Sequence, residues 1–392
     1  MLHEVYIAAA KRSPIGNLLG SLSSLSASSL GSSVIKELIA SLSLDTNLID
    51  EVIIGQVLTA GLGQNPARQT SLAAGLPIKT PAYLVSQVCG SGLKSLILGF
   101  MSISCGYSQM VLAGGQESMS NAPHCAYMRK GCKIGDLNLK DTMMLDGLTD
   151  AFSNKAMGIT AENIAAKYQI SRLHQDEFAY HSQQKASKAL ETGRFKDEIA
   201  PIKLSSKNQE IIVSSDEFIR PETTLQTLAK LRPAFTQNGS VTAGNSSGIN
   251  DGAAFVLLAS EKALKASNLT PLAKIVSFAE YGVEPDIMGT GPLPASRIAL
   301  AKAGWRVQDL DLIECNEAFA AQSICVIKEL DLDASKVNVN GGAIALGHPI
   351  GASGGRIVVT LIHEMQKSLA GKALATLCVG GGMGIAMCIE KV

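Results

Sequence analysis

An α/β fold of two related halves, with a segment inserted into the first, is predicted by three observations. Short apolar runs of strand length alternate with helix-length periodic segments; the same order of runs occurs over residues 1–118 and again over 271–392; and glycines stand at matching strand ends in the two copies. At 392 residues the chain is also longer than one ordinary core fills.

In order, Val5–Ala9 reads as a strand, Ser28–Leu42 as a helix, Glu51–Gln56 as a strand and Pro66–Ala74 as a helix. Ala82–Val85 is the next strand, followed by an apolar-periodic helix over Leu93–Met101 and a strand over Met110–Gly114. In the second copy Asp311–Asn316 parallels Glu51–Gln56, and each precedes an alanine-bearing helix. Val337–Gly342, leading through a glycine loop to a helix over Gly354–Met365, parallels the strand, turn and helix around Cys89, and Leu374–Gly382 parallels Met110–Gly115. Between the copies, helical patterns at Ala161–Tyr168 and Gln175–Leu190 and a polar turn at Ser205-Ser206-Lys207-Asn208 read as an inserted lid. Ile249–Ser260 is strand-like again and Glu261–Ser267 helical, so the chain returns to the first half. The expected units are residues 1–118 with 249–270, an inserted 119–248, and 271–392.

Charge is balanced at 34 basic and 34 acidic residues, so no global field recruits nucleic acid or an acidic membrane surface. A polyanionic ligand must be met by local basic residues and backbone donors. The eight cysteines form no C-x-x-C pair and no secretory leader is evident, which reads as free thiols in a reducing compartment, the cytoplasm by default. His124-Cys125 and Cys132 lack a second paired half, so no metal site is expected.

The chemistry converges on Ser86-Gln87-Val88-Cys89-Gly90-Ser91-Gly92. At the mouth of the following helix, unpaired N–H groups and the helix dipole would stabilise a Cys89 thiolate. Taken alone, Cys89 is as well a small buried residue beside a turn. His348 precedes Pro349, which keeps its backbone extended, and the glycines around it keep bulk away from the imidazole; it could take the Cys89 proton. From its strand alone Cys378 is equally a core thiol or a site residue. The Gly380-Gly381-Gly382 run after it leaves N–H groups bare for an oxyanion, and lacks the spacing of a dinucleotide fingerprint. Ligands bind beyond the carboxyl ends of strands in α/β folds, so paired halves bring the loops at Cys89, Asn316, His348 and Cys378 to one cleft.

Val88-Cys89-Gly90-Ser91-Gly92, Asn316-Glu317-Ala318-Phe319-Ala320, Gly341 through Pro349 and Cys378 through Gly384 resemble, in order and nearly end to end, the motifs of the thiolases, and within them the acetyl-CoA acetyltransferases. The resemblance implies a five-layered α-β-α-β-α core with an inserted coenzyme A-binding loop domain. It implies condensation of two acetyl-CoA to acetoacetyl-CoA and coenzyme A, and the reverse thiolysis. Cys89 would be acylated with His348 as its base, and Cys378 would take the α-proton of the second thioester. One oxyanion site would comprise His348 Nε2 and a water held by Asn316, the other the N–H groups of Cys89 and Gly380. Arg220 and Ser247 would contact coenzyme A, while Met157, Phe235, Met288 and Phe319 would line the acyl pocket. Partners would be acetyl-CoA, acetoacetyl-CoA and coenzyme A, all substrates, with no resident cofactor, no nucleic acid and no membrane. A homotetramer is implied, with Met119–Leu148 as a contact arm. Where members specialised for acetoacetyl-CoA often have a histidine before Met157-Gly158, this chain has Ala156. A thiolase favouring longer 3-ketoacyl chains, and a non-catalytic acyl-CoA-binding protein, are the competing expectations.

Overall fold

The computed structural model of the chain describes residues 3–206 and 209–392. Lys207 and Asn208, half of the expected polar turn, lie outside the described residues with Met1 and Leu2. The first half contributes β1 (Val5–Arg12), β2 (Gly16–Asn17), α1 (Ala27–Leu42), β3 (Glu51–Gly55), α2 (Pro66–Ala73), β4 (Ala82–Val85), α3 (Ser91–Ser104) and β5 (Met110–Ser118). The middle carries β6 (His124–Cys125), β7 (Lys140–Asp141), α4 (Met157–Lys167), α5 (Arg172–Glu191), β8 (Ile202–Ser206), β9 (Gln209–Val213) and α6 (Leu225–Ala229). β10 (Asn250–Ser260) and α7 (Glu261–Ser267) precede the second half: β11 (Ala273–Gly282), α8 (Pro292–Ala303), β12 (Leu312–Cys315), α9 (Ala320–Glu329), α10 (Ala343–Leu346), α11 (Ile350–Ser368), β13 (Lys372–Val379) and β14 (Met383–Lys391).

The helices begin where a side chain can satisfy their first N–H groups. Ser26, Ser171 and Ser260 accept from the third residue beyond them, and Pro66 and Pro292 occupy first-turn positions where no donor is needed. α1 and α8 stop at left-handed Ser43 and Gly304.

Among the described residues the main sheet runs β12-β13-β14-β11-β1-β10-β5-β3-β4, with β2 on β10. The order mirrors itself about the β11–β1 seam: β1, β10, β5 and β3 are answered by β11, β14, β13 and β12. The seam itself is narrow, two residue pairs, Tyr6 with Lys274 and Ile7 with Ala273. One expected strand is not formed. Of Val337–Gly342 only Val337 bridges Ile313, in the place that β4 takes beside β3. Asn338 and Gly341 adopt positive φ of 44° and 80° and turn the chain away, and the Asn338 amide instead bonds both backbone groups of Cys315.

Leu93, Leu96 and Ile97 of α3 and Ile357, Val358 and Leu361 of α11 pack between Val111 and Val256 on one side and Leu377, Ile385 and Met387 on the other. α1 and α2 cover the outer face of the first half. α8 and α9 cover that of the second, giving helix, sheet, helix, sheet, helix in layers. Within the middle layer the first turns of α3 and α11 touch backbone to backbone. A Cβ on Gly92 would stand 2.6 Å from the Gly355 nitrogen, and one on Gly354 2.2 Å from the Leu93 nitrogen. Glycine at these places is what allows the approach. Since Cys89 lies just before α3 and His348 just before α11, this contact places both loops at one end of the layer.

The inserted segment is tied to the sheet by a buried cation. Arg12, fully buried on β1, donates Nε to Glu198 at 2.6 Å and its two Nη atoms to Asp216 at 2.6 and 2.9 Å, with the Phe195 ring 5.2 Å away. No helix of the described residues is long and apolar enough to cross a membrane.

Candidate active site

Cys89 sits on a tight turn that its neighbours close. Gly90 N–H donates to Gln87 O, and Ser91 N–H to Val88 O. The Ser91 hydroxyl accepts from Gln87 N–H at 2.8 Å and donates to Val88 O at 2.7 Å. Val88 is held at φ 44°, a conformation that costs a β-branched residue energy and marks the turn as over-determined. The cysteine is 9% exposed. Its thiol is pushed up to about 11 by burial, against the pull of the N–H groups of Gly380 and of Cys89 itself. The expected lowering at the helix mouth is thus overturned: desolvation outweighs the pull of the backbone N–H groups.

Cys378 is the penultimate residue of β13, opposite Gly384 of β14, and is fully buried. It packs with Met288, Ala318 and Phe319, and with Met157 and Phe235 beside them. Its thiol lies well above the usual range, first through burial and then through the charges of Cys89 and Cys315. Cys89 thus opposes the ionisation of Cys378. Gly380, two residues on, packs against the Cys89 turn: a Cβ there would meet Val88 at 3.2 Å and the Met157 sulfur at 3.6 Å.

His348 donates its backbone N–H to Asn250 Oδ1 at 2.9 Å, and its Nδ1 lies 2.6 Å from Ser353 Oγ. Nε2 is buried without a partner. Burial, and then the Arg356 charge, lower the imidazole to about 3, so the ring is neutral. Asn316 is 1% exposed, its N–H bonds Thr376 O, and its Nδ2 is likewise buried and unpartnered.

His348 opens on a cleft of about 550 Å³ lined also by Met157, Phe235, Phe319, Ser247, Arg220 and Ala156. The Phe235 and Phe319 rings meet edge to face at 6.1 Å. Phe218, Arg220 and Ala243 continue it into a second pocket of about 240 Å³. The Arg220 guanidinium lies 4.8 Å from the Phe218 ring centre. Met288 does not reach the cleft surface; it is buried behind it against Cys378. Gly158 is required here, because a Cβ would stand 2.2 Å from the Phe235 ring. Gly158→Ala is therefore expected to displace Phe235 and raise KM for thioester substrates several-fold, read from steady-state kinetics.

Residues that sequence reasoning did not find complete the site. Glu117, fully buried at the end of β5, accepts from Val57, Leu58 and Gly351 N–H, binding the loop after β3 to the first turn of α11. Burial raises its carboxyl to about 7 despite those donors. Asn250, Ser353 and Arg356 hold His348 and Asn316. Their one legible signal is Glu117 and Arg356 as charges within otherwise apolar elements.

The thiolase N-terminal domain model matches residues 5–262 and the thiolase C-terminal domain model residues 269–391. Acetyl-CoA acetyltransferase of Allochromatium vinosum is 56% identical over all of both chains, and that of Paracoccus denitrificans 54% over 99% of each. The crystal structures of Bacillus anthracis acetyl-CoA acetyltransferase and of human mitochondrial 3-ketoacyl-CoA thiolase each superpose with a TM-score of 0.97 at 44% identity, over 100% of this chain and 99% of theirs. With two cysteines and a neutral histidine gathered at one end of a duplicated core, and with matches spanning both halves, the chain belongs to the thiolase family.

Proposed function

We propose that the protein is an acetyl-CoA C-acetyltransferase, joining two acetyl-CoA into acetoacetyl-CoA and coenzyme A and running the reverse thiolysis. The observation that carries the reading is the close packing of the Cys89 turn on the end of the Cys378 strand, where a Cβ on Gly90 would stand 2.9 Å from Val379 and one on Gly380 3.2 Å from Val88, with the buried, unpartnered His348 Nε2 at the same end of the core. The relatives named acetyl-CoA acetyltransferase support it over the full length.

In this reading Cys89 gives its proton to His348 Nε2 and its sulfur attacks the thioester carbon. The N–H groups of Cys89 and Gly380 receive the oxyanion. The departing coenzyme A thiolate takes the proton of Cys378, which leaves Cys378 a thiolate and His348 an imidazolium. Burial makes that thiolate a strong base, matched to a weakly acidic C–H. It removes the α-proton of the second acetyl-CoA, whose enolate oxygen faces His348 Nε2–H and the water of Asn316. The carbanion attacks acetyl-Cys89, and the released sulfur recovers its proton from His348. Protons and electron pairs balance with no resident cofactor, the thioesters being substrates.

Arg220 and Ser247 are assigned to coenzyme A, and Met157, Phe235 and Phe319, backed by Met288, to the wall that limits acyl length. Exposed Tyr127, Ile134 and Leu139 support a homotetramer that uses 119–148 as a contact arm. Eight free cysteines support the cytoplasm.

Double-reciprocal plots for thiolysis are expected to be parallel, since acetyl-Cys89 forms before the second substrate binds; intersecting lines contradict the scheme. Ala156 favours weighing the longer-chain alternative. Thiolysis of acetoacetyl-CoA is expected to outrun that of a medium-chain 3-ketoacyl-CoA, and the opposite order removes the acetyl assignment.

A further inference from the structure

α11 does more than begin after the histidine. Ser353 and Arg356 stand three residues apart and share one face of the helix, both buried. Ser353 Oγ donates to Pro349 O at 2.9 Å, and a hydroxyl has one hydrogen to give. Its 2.6 Å contact with His348 Nδ1 is then a bond in which Nδ1–H is the donor. In that arrangement the neutral ring carries its hydrogen on Nδ1, and Nε2, buried without a partner, presents a lone pair. One turn further on, Arg356 Nη1 donates to Glu314 Oε2 at 2.9 Å and Nη2 reaches Asn316 Oδ1 at 3.5 Å. A guanidinium can only donate, so it selects the amide oxygen and turns Asn316 Nδ2 the other way, where it too lacks a partner.

We propose that this face of α11 positions the two groups that receive the enolate oxygen: Ser353 selects the His348 tautomer, and Arg356 orients Asn316 and sets a buried positive charge behind it. The proposal rests on the thiolase chemistry above. It gives one imidazole both duties. The Nε2 lone pair accepts the Cys89 proton, and the imidazolium so formed donates from Nε2 to the enolate while Nδ1–H stays on Ser353. Through Asn316, Arg356 serves only the second duty; in the first its charge disfavours the imidazolium, so removing it is not expected to hinder proton transfer from Cys89.

Two measurements test it. In protein labelled with 15N-histidine, the imidazole nitrogen shifts of His348 are expected to report Nδ1–H, and Ser353→Ala to shift the ring toward Nε2–H. An Nε2–H ring in the unaltered protein, or an unchanged tautomer in the variant, overturns the role of Ser353. For Arg356, the variant Arg356→Met with Glu314→Gln removes the pair without leaving a lone buried charge. Acetyl-Cys89 formation, followed by mass, is expected to stay within a few-fold. Exchange of acetyl-CoA α-protons into deuterium oxide is expected to fall on the order of tenfold to hundredfold. Equal losses in both half-reactions, the mark of a merely structural role, or no loss in exchange, overturn it. Absence of acetyl-Cys89 in the unaltered protein overturns instead the catalytic reading on which the proposal stands.

Discussion

Replacing Cys89 by alanine is expected to abolish the acetyl-enzyme, with turnover falling on the order of 10⁴-fold or more. Cys378→Ala is expected to leave acetyl-Cys89 formation in place and to stop carbon–carbon bond making and breaking. The division follows from geometry. Cys89 sits on the turn that packs against Gly380, whereas Cys378 is enclosed by Met288, Ala318 and Phe319. Mass spectrometry of each variant after incubation with acetyl-CoA separates the two. A Cys378 variant that fails to acylate would refute separate duties. Because the free Cys89 thiol is raised to about 11, its alkylation by iodoacetamide is expected to climb about tenfold per pH unit from neutrality toward pH 9. A rate that is flat over that range would mean a resting thiolate.

Arg12→Met is expected to destabilise the protein by about 3–5 kcal/mol, because it leaves the buried carboxylates of Glu198 and Asp216 without their cation. The loss should fall on the attachment of the inserted segment, as Arg12 belongs to β1 and both acids to the segment between α5 and β10. Adding Glu198→Gln and Asp216→Asn is expected to restore much of the stability, since no charge is then stranded. Thermal unfolding of the single and triple variants checks this; a triple variant less stable than the single one would show that the pair itself, not the orphaned charge, carries the energy.

The local pattern carried the elements well where apolar periodicity set them. Ala82–Val85 and Glu261–Ser267 are as read, and α1, α2, β3 and β12 differ by a residue or so at either end. Met110–Gly114 extends to Ser118, since the polar Gln116 and Glu117 are buried by partners from distant loops that no window of sequence contains. The strand expected at Val337 failed because asparagine and glycine in left-handed conformations outweighed its alternation. The four loops that meet at the candidate site stood out in the sequence because glycines and short motifs mark where backbone must approach closely. What holds those loops was not, for Ser353, Arg356, Glu117 and Asn250 act through contacts spanning up to 234 positions. The direction of the Cys89 shift was misjudged for the same reason: a dipole can be read from a helix start, burial cannot.

The join at the middle of the sheet has a dynamic consequence. With a two-pair ladder between Tyr6–Ile7 and Ala273–Lys274, little hydrogen bonding fixes the angle between the repeats. That angle is governed by interdigitated side chains of the central helices. Repacking at Leu93 or Ile357 is therefore expected to shift one repeat slightly against the other, and so to alter the spacing of the two sulfurs without touching either.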